Sequence, residues 1–580
     1  MRQATETLSA DIATDASIHE AKDRRYFAEL VRVLEERVDV NAIVAADIKL
    51  WPLIRWELAR GIKGTAVQDD VGSAVNEVRG EGFTGGREER VEIMRRQRDA
   101  ERARYPDAQS HRAEQFERLK TLGPCDYLVC SKVEKYYQPV DGKFYSPILD
   151  PVYEDLRVRG KTHVIGLEPL DIECINEPTR ISADPYMRLT SRMQKEDACA
   201  VVAAQLAHIN SVLEEVSPAF RLDVERLNIR LNRYRRRVLF FEDVLRATRP
   251  RAVFVSSFVG WAPLIWAARK QGVVTIDIQH GGQSPFHYHT THWSKLPSDG
   301  YELLPDVFWV WGNAIRDFIT PWLPASAERH IPVVGGQRYV AKCLRGSPVL
   351  DESEDGRTVV AHLAGGERTV LVTLGYSVEE ILPDTLREAI ARTPTWRWLI
   401  RMHPINRGEA AIREIQAKTV DSGLENVEFQ ASTRLPLYTV LTLADFHVTP
   451  FSTTCREAAA VGIDSAITHP IGKTYFAEEI AAGEFIYAET AQAIIEAASE
   501  RPDGPRSVER GVYIETADSL VDDVMEVVES LCERAASRRA SIGPEMVELP
   551  TPPARPKPTS AAPVPKRASV WSRLLGKFGR

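Results

Sequence analysis

Short apolar segments alternate with helical segments twice along this chain of 580 residues. Apolar runs of this length match strands that are buried on both faces of a sheet. Because parallel strands need a crossover connection, strands separated by helices predict doubly wound parallel sheets. The predicted strands are 126–130, 162–167, 252–256, 273–279 and 307–311 in the first run, and 369–374, 397–402, 427–429, 446–449 and 463–467 in the second.

The length of the chain exceeds what one hydrophobic core supports, so we expect several domains. We predict a helical N-terminal extension at 1–120, a Rossmann-like domain at 121–325 and a second one at 326–535. The two α/β domains would face each other across a cleft. A disordered tail is predicted at 536–580, because residues 550–565 contain seven prolines and cannot pack as helix or sheet.

Composition excludes several classes of protein. Hydrophobic residues make up 44% and charged residues 27%, which is ordinary for a soluble globular protein. A net charge of −8 argues against a dedicated nucleic-acid binder. The seven cysteines form no C-x-x-C pair, and the N-terminus lacks the apolar core of a signal peptide. We therefore expect a reduced, cytoplasmic protein.

His280 stands directly after the strand segment 273–279 and before Gly281 and Gly282. Ligands of open α/β sheets bind outside the carboxyl ends of the strands. An imidazole there can take a proton near neutral pH, or it can bind a phosphate. Glycines allow a sharp turn and close approach of a ligand. We predict His280 as a catalytic base and Gly281, Gly282 and Gln283 as acceptor contacts.

A second histidine, His403, follows the strand segment 397–402 and precedes Pro404. Proline keeps the residue before it out of the helical region, so His403 is held in an extended turn past the strand. A structural histidine would also fit this position. We predict that Arg401 and His403 bind a donor phosphate and that His403 takes part in catalysis.

Three consecutive hydroxyl residues, Ser452, Thr453 and Thr454, connect the strand segment 446–449 to an alanine-rich helical segment. Backbone N–H groups at a helix N-terminus favour an anion, and hydroxyls add donors without bulk. We predict a phosphate site here, with Glu457 as a candidate contact to a ribose hydroxyl. The alternative is a capping box, Thr454-x-x-Glu457, which needs no ligand.

Three more histidines, His287, His289 and His292, have a spacing that permits metal coordination. The only nearby carboxylates are Asp277 and Asp299. A surface loop with incidental histidines is the simpler interpretation. We predict no metal and no cofactor.

Taken in order, these motifs resemble those of bacterial surface- and capsular-polysaccharide glycosyltransferases of the GT-B fold. The motifs are strand–Gln279-His280-Gly281, strand–Arg401-x-His403-Pro404 and Ser452-Thr453-Thr454-x-x-Glu457-Ala458. Bacterial sialyltransferases, capsule Kdo transferases and glycerophosphotransferases that use CDP-glycerol have similar elements. The resemblance covers roughly residues 120–530, and Trp51-Pro52-Leu53-Ile54-Arg55 is similar to the N-terminal region of the same group.

One element of the sialyltransferases has no counterpart in the first half of this chain. Their base comes from an acidic pair followed by glycine, and the nearest such triplet is Glu354-Asp355-Gly356. We interpret that triplet as part of a linker. Sialic acid therefore stays one open donor among several, beside Kdo-like sugars and hexoses.

The resemblance implies an enzyme that transfers a sugar from a nucleotide-activated donor to a cell-surface glycan or a related, lipid-linked acceptor. The second half would hold the nucleotide, a CMP-linked donor is one option, and direct attack without a metal would invert the anomeric centre. Three alternatives stay open. They are a CDP-glycerol-type glycerophosphotransferase, a sugar-nucleotide epimerase and an inactive, membrane-attached GT-B scaffold.

The end of the chain is a basic amphipathic segment. Its apolar members on one helical face are Trp571, Leu574, Leu575 and Phe578, with Arg573, Lys577 and Arg580 beside them. Apolar burial at a membrane surface and attraction to anionic lipid add, at ~1 kcal/mol per basic residue. We predict peripheral attachment to the inner membrane, against a plain disordered tail.

Overall fold

Two parallel sheets form the body of the protein. The computed structural model describes residues 19–66, 95–96, 99–131, 138–140, 143–167, 174–191, 193, 197–218, 220–283, 287–325, 327–345, 354–375, 382–403, 409–499, 512–539 and 543–549. The strands are β1 Val44–Ala45, β2 Ile48–Lys49, β3 Tyr127–Ser131, β4 Gln138–Val140, β5 Lys143–Tyr145, β6 Thr162–Gly166, β7 Thr179–Arg180, β8 Ala252–Ser256, β9 Val274–Ile278, β10 Val307–Val310, β11 Ile331–Val334, β12 Thr369–Thr373, β13 Arg397–Arg401, β14 Val427–Glu428, β15 Phe446–Thr449, β16 Ser465–Ile467 and β17 Ile486–Tyr487.

The first sheet has the strand order β11-β10-β9-β8-β3-β6-β7, and its neighbouring strands are parallel. Every residue of β8, β9 and β10 is buried, which is the pattern of strands covered by helices on both faces. The register pairs Ser256 with Ile278, so the carboxyl ends of β8 and β9 lie side by side.

The second sheet has the order β14-β13-β12-β15-β16-β17 and is also parallel. The sheet order changes direction between β12 and β15, where doubly wound sheets form their binding crevice. The predicted fold class, two Rossmann-like doubly wound α/β halves, is confirmed. The predicted strands all occur, while the short strands β7, β11 and β17 were not predicted.

Helices cover both sheets. They are His19–Arg37, Trp51–Ala66, Ala108–Leu122, Asp150–Arg157, Asp184–Leu189, Ala203–Val216, Val224–Thr248, Phe258–Lys270, Asn313–Ile319, Arg338–Arg345, Glu354–Leu363, Asp384–Arg392, Glu409–Lys418, Ala431–Arg434, Leu437–Leu441, Thr454–Ala460, Pro470–Tyr475, Ala477–Ala481, Ala491–Ser499 and Leu520–Arg539. The predicted linker at Glu354-Asp355-Gly356 is wrong, because these residues begin the helix Glu354–Leu363 and Asp355 accepts from Arg434 at 2.9 Å.

The chain returns to the first half after the second sheet. The N–H of Ala314 donates to the carbonyl of Val512 at 2.7 Å, and the N–H of Glu515 donates to the carbonyl of Trp311 at 2.8 Å. The helix Leu520–Arg539 then reaches the first sheet, where Tyr127 donates to Glu529 at 2.8 Å. Strand β11 also pairs with this sheet, although it lies beyond the predicted boundary at residue 325.

The N-terminal helices are docked on the first half through Arg55. This guanidinium is fully buried and donates to the carbonyls of Thr291 and His292 at 2.7 and 2.6 Å. It also lies 3.7 Å from the ring centroid of Trp293 and 3.8 Å from the Glu35 carboxylate. Burial lowers the pKa of Arg55 to about 10, against the raising effect of Glu35. The Trp51–Arg55 cluster is thus a structural anchor.

The ordered chain continues past the predicted start of the tail at 536. The helix Leu520–Arg539 passes that point, and the N–H of Val547 donates to the buried Asp243 at 2.6 Å. The proline-rich and amphipathic parts of the tail, from residue 550 onward, lie outside the described residues. None of the helices in the described ranges combines the length and apolar character that a membrane crossing needs.

Candidate functional site

The carboxyl ends of the two sheets meet at Gly282 and Thr453. A Cβ atom placed on Gly282 would stand 2.1 Å from the Thr453 Cγ2 atom. The loop 279–283, which follows β9, therefore lies directly against the turn Ser452–Thr454 (the hydroxyl turn), which follows β15. Two motifs that are 171 positions apart in the sequence are therefore in contact.

Arg456 fastens the same two loops together. Its Nη1 atom donates to the carbonyl of Gln283 at 2.8 Å, and its Nε atom donates to Glu479 at 3.2 Å. Its guanidinium lies 4.1 Å from the ring centroid of Tyr513. Because Arg456 is buried and ion-paired, it sets the position of the loop 279–283 relative to the second half.

Gln279 gives this loop its shape. Its side-chain carbonyl accepts from the N–H of Trp311 at 2.8 Å, and its amide donates to the carbonyl of Gly281 at 2.9 Å. Gly281 borders open space, because apart from its chain neighbours no atom of the described residues lies within 4 Å of the Cβ position built on it. This is the placement predicted for an acceptor contact, although the role itself stays a prediction.

His280 is half-buried at the end of β9, where the sequence placed it. The hydroxyl oxygen of Ser257 lies 3.1 Å from its Nδ1 atom and 3.0 Å from its Nε2 atom. Asp277, three residues earlier, is buried and accepts from the N–H of Phe258 at 2.9 Å. Burial raises the pKa of Asp277 well above its usual value.

The turn Ser452–Thr454 contacts this loop through the methyl group of Thr453. Ser452 and Thr454 share a hydrogen bond of 2.8 Å between their hydroxyls, and the N–H of Ser452 donates to Thr449 at 3.1 Å. Thr453 begins the helix Thr454–Ala460, yet its side chain makes no capping bond and instead contacts Gly282.

Glu457 does not close a capping box, so that alternative is wrong. Its Oε1 atom accepts from the Tyr438 hydroxyl at 2.6 Å, while the N–H of Thr454 donates to the Ser452 hydroxyl at 3.3 Å. Burial raises the pKa of Glu457, and the Tyr438 bond and Arg401 oppose that shift. The carboxyl group is thus held by the side chain of another helix, Leu437–Leu441.

The structure separates Arg401 from His403. The Nη1 atom of Arg401 donates to the carbonyls of Ser432 and Leu435 at 2.7 and 2.5 Å, and the residue is buried. These contacts fix the end of β13, so we assign Arg401 to the scaffold and do not keep it as a phosphate ligand. His403 is half-buried at the carboxyl end of β13, on the same edge of the sheet as the hydroxyl turn.

Strand order shows that another histidine, His469, lies nearer to the hydroxyl turn. β16 is the direct neighbour of β15, whereas β13 is two strands away. Strands lie ~4.8 Å apart, so β13 is roughly 10 Å from β15. The His469 ring packs edge-on against Phe451 with 5.8 Å between centroids. The sequence signal existed, since His469-Pro470 follows an apolar segment just as His403-Pro404 does.

The three other histidines of this region are used in packing. The His287 Nδ1 atom lies 2.9 Å from the Thr290 hydroxyl, the His289 ring packs against Trp56, and the His292 ring packs on Trp322. Within the described part of the chain, no group of three His, Cys, Asp or Glu side chains is arranged to hold a metal ion.

Comparison with known proteins gives matches of fold only. No protein-family model and no curated protein matches the chain. Among solved structures, UDP-GlcNAc 2-epimerase from Neisseria meningitidis bound to UDP-GlcNAc is 13% identical, with 70% of this chain and 100% of that chain covered and a TM-score of 0.40. The UDP-GlcNAc 2-epimerase from Methanocaldococcus jannaschii is 11% identical, with 70% and 99% covered and a TM-score of 0.44. A UGT transferase from Siraitia grosvenorii in complex with UDP is 12% identical, with 72% and 96% covered and a TM-score of 0.35. Likenesses at this level carry no function over to this chain.

Proposed function

We propose that this chain is a glycosyltransferase that moves a sugar from a nucleotide-activated donor to a glycan or lipid-linked acceptor. The contact between Gly282 and Thr453 carries the proposal. It brings the loop 279–283, which contains His280, against the turn Ser452–Thr454 of the other half. An acceptor held at His280 and a donor held at that turn would therefore meet at this junction.

In this proposal the second half binds the nucleotide at the carboxyl edge of its sheet. Departure of the nucleotide builds negative charge on the phosphate. The hydroxyls of Ser452 and Thr453 and the imidazoles of His403 and His469 would donate to those oxygens. A well-placed donor contributes ~3 kcal/mol to such a transition state. Compared with the predicted phosphate site, this set exchanges Arg401 for His469 and leaves out Thr454.

His280 would act from the first half as the general base. It takes the proton of an acceptor hydroxyl while the oxygen attacks the anomeric carbon on the face opposite the leaving phosphate, which inverts that centre. Gly281 borders the open space in which an acceptor could lie. Glu457 would approach a ribose hydroxyl with its Oε2 atom, because Oε1 is bonded to Tyr438.

Binding of nucleotides is the first test. We expect CMP, CDP, UDP or GDP to raise the melting temperature in a thermal-shift panel, because a ligand at about a hundred times its Kd stabilises by ~2.7 kcal/mol. The matched variant Ser452→Ala should lose most of that shift. No shift with any of the four nucleotides contradicts the proposal.

The product bond then separates the alternatives. A new glycosidic bond supports transfer, and a new phosphodiester identifies a glycerophosphotransferase. Release of free sugar without any acceptor identifies an epimerase. Nucleotide binding with no turnover across acceptors indicates a scaffold that no longer reacts.

We further propose that the enzyme works at the cytoplasmic face of the inner membrane. The basic amphipathic segment at 570–580 supports this, since it pairs apolar residues with Arg573 and Lys577. Deleting residues 566–580 should move the protein from the membrane fraction to the supernatant.

A further inference from the structure

Ser257 occupies a strained backbone position beside the proposed base. Its φ and ψ angles are 62° and 61°, in the left-handed region that L residues other than glycine rarely adopt. It forms the sharp turn between β8 and the helix Phe258–Lys270. Strain of this kind persists only where surrounding contacts over-determine it, and it concentrates at functional sites.

Two contacts hold this turn in place. The N–H of Phe258 donates to the buried Asp277 carboxyl group at 2.9 Å, which ties the start of the helix to β9. The Ser257 hydroxyl lies at nearly equal distances, 3.0 and 3.1 Å, from the two nitrogens of His280. The parallel register of Ser256 with Ile278 brings the two strand ends together.

A hydroxyl can donate to a bare ring nitrogen and can also accept from a ring N–H. Because the hydroxyl is almost equally far from both nitrogens, it lies over the ring rather than in line with one nitrogen, so the contact does not depend on which nitrogen carries the proton. A strained serine between strand and helix is also the geometry of a nucleophile in hydrolases, where the next backbone N–H binds the oxyanion. Here the Phe258 N–H is already bonded to Asp277, so that donor is occupied.

We infer that Ser257 is a positioning residue, which holds the His280 ring toward the acceptor before and after it takes a proton. This inference rests on the proposed transferase reaction. There, the acceptor O–H bond breaks and its proton goes to His280. The oxygen–carbon bond forms as the carbon–phosphate oxygen bond breaks, and that electron pair leaves with the phosphate. Ser257 forms no covalent bond in this step and keeps its contact with the ring.

Ser257→Gly tests the inference, because glycine adopts this backbone conformation without strain and lacks the hydroxymethyl side chain that contacts the ring. Ser256→Ala is the matched control, since the Ser256 hydroxyl is buried without a hydrogen-bond partner in the described residues. With the donor found in the nucleotide panel, Ser257→Gly should lower kcat at least tenfold and leave KM for the donor within twofold. Ser256→Ala should retain wild-type values.

A readout that needs no activity is the nuclear magnetic resonance signal of the His280 ring, assigned by its loss in His280→Gln. We expect one sharp set of ring signals in the wild type and Ser256→Ala, and exchange-broadened signals in Ser257→Gly. Unchanged ring signals in Ser257→Gly overturn the inference, even if the protein proves to catalyse another reaction. Covalent labelling of Ser257 by a fluorophosphonate probe would overturn it too, because it identifies a nucleophile.

Discussion

Adding one methyl group at the junction of the two halves should weaken both folding and donor binding. The Cβ of Gly282→Ala would stand 2.1 Å from the Thr453 Cγ2 atom, against ~3.5–4.0 Å for carbon atoms in ordinary contact. The two loops must therefore separate by about 1.5 Å. Overpacking of this size costs about 1–3 kcal/mol. Because Arg456 binds the neighbouring Gln283 carbonyl, the loop cannot move away freely.

Gly281→Ala is the matched control, since its Cβ would have no atom of the described residues beyond its chain neighbours within 4 Å. Neither glycine has a left-handed φ, so alanine fits the backbone conformation at both positions. Urea unfolding should show a loss of about 1–3 kcal/mol for Gly282→Ala and less than about 0.5 kcal/mol for the control. Calorimetric titration with the nucleotide found in the panel should show weaker binding only in Gly282→Ala. Thr453→Ser in that background removes Cγ2 and should restore part of the loss. Equal stability and equal affinity of the two glycine variants would refute the proposed contact.

Four further outcomes are expected. His403→Ala should lower kcat at least about tenfold, or ~1.4 kcal/mol of barrier, with unchanged melting temperature; wild-type rates would remove it from the mechanism. His469→Ala should also lower kcat at least about tenfold. An unaltered rate would remove His469 from the proposed donor site. Adding EDTA should leave activity intact, whereas loss of activity in EDTA would favour a metal site. Burial lowers the pKa of His447 to about 3, so the unfolded state binds one more proton once the pH falls below ~6.5. Stability should then drop as the pH falls from 7 to 5, and the drop should be shallower in His447→Gln by up to ~1.4 kcal/mol per pH unit. Equal slopes in urea unfolding would contradict the assignment.

Strand patterns reveal much of this fold because the central strands are buried on both faces. Apolar residues predominate in β8, β9 and β13, and the residues that follow these strands could be assigned to one edge of a sheet. β7 and β17 are two-residue strands at sheet edges, where half-exposed residues leave no apolar run to detect. The strand-end positions of His280 and His403 were therefore predictable.

Side-chain directions at the site were not predictable in the same way. Arg401 and His403 both stand at the end of β13, yet Arg401 turns to the carbonyls of Ser432 and Leu435. That choice depends on a helix end more than thirty residues away, which no local pattern encodes. The contact of Gly282 with Thr453 is likewise set by the packing of one half on the other.

The buried Arg55 gives the helices within residues 19–66 a share in shaping the first half. A positive charge sealed in a dry interior is tolerated because the carbonyls of the loop 288–292 and Glu35 surround it. Cutting the chain after this anchor would leave those carbonyls without their guanidinium donor. A shortened chain that starts at the first sheet should thus lose the support of the loop 288–292, so the leading helices act as an internal buttress for that loop.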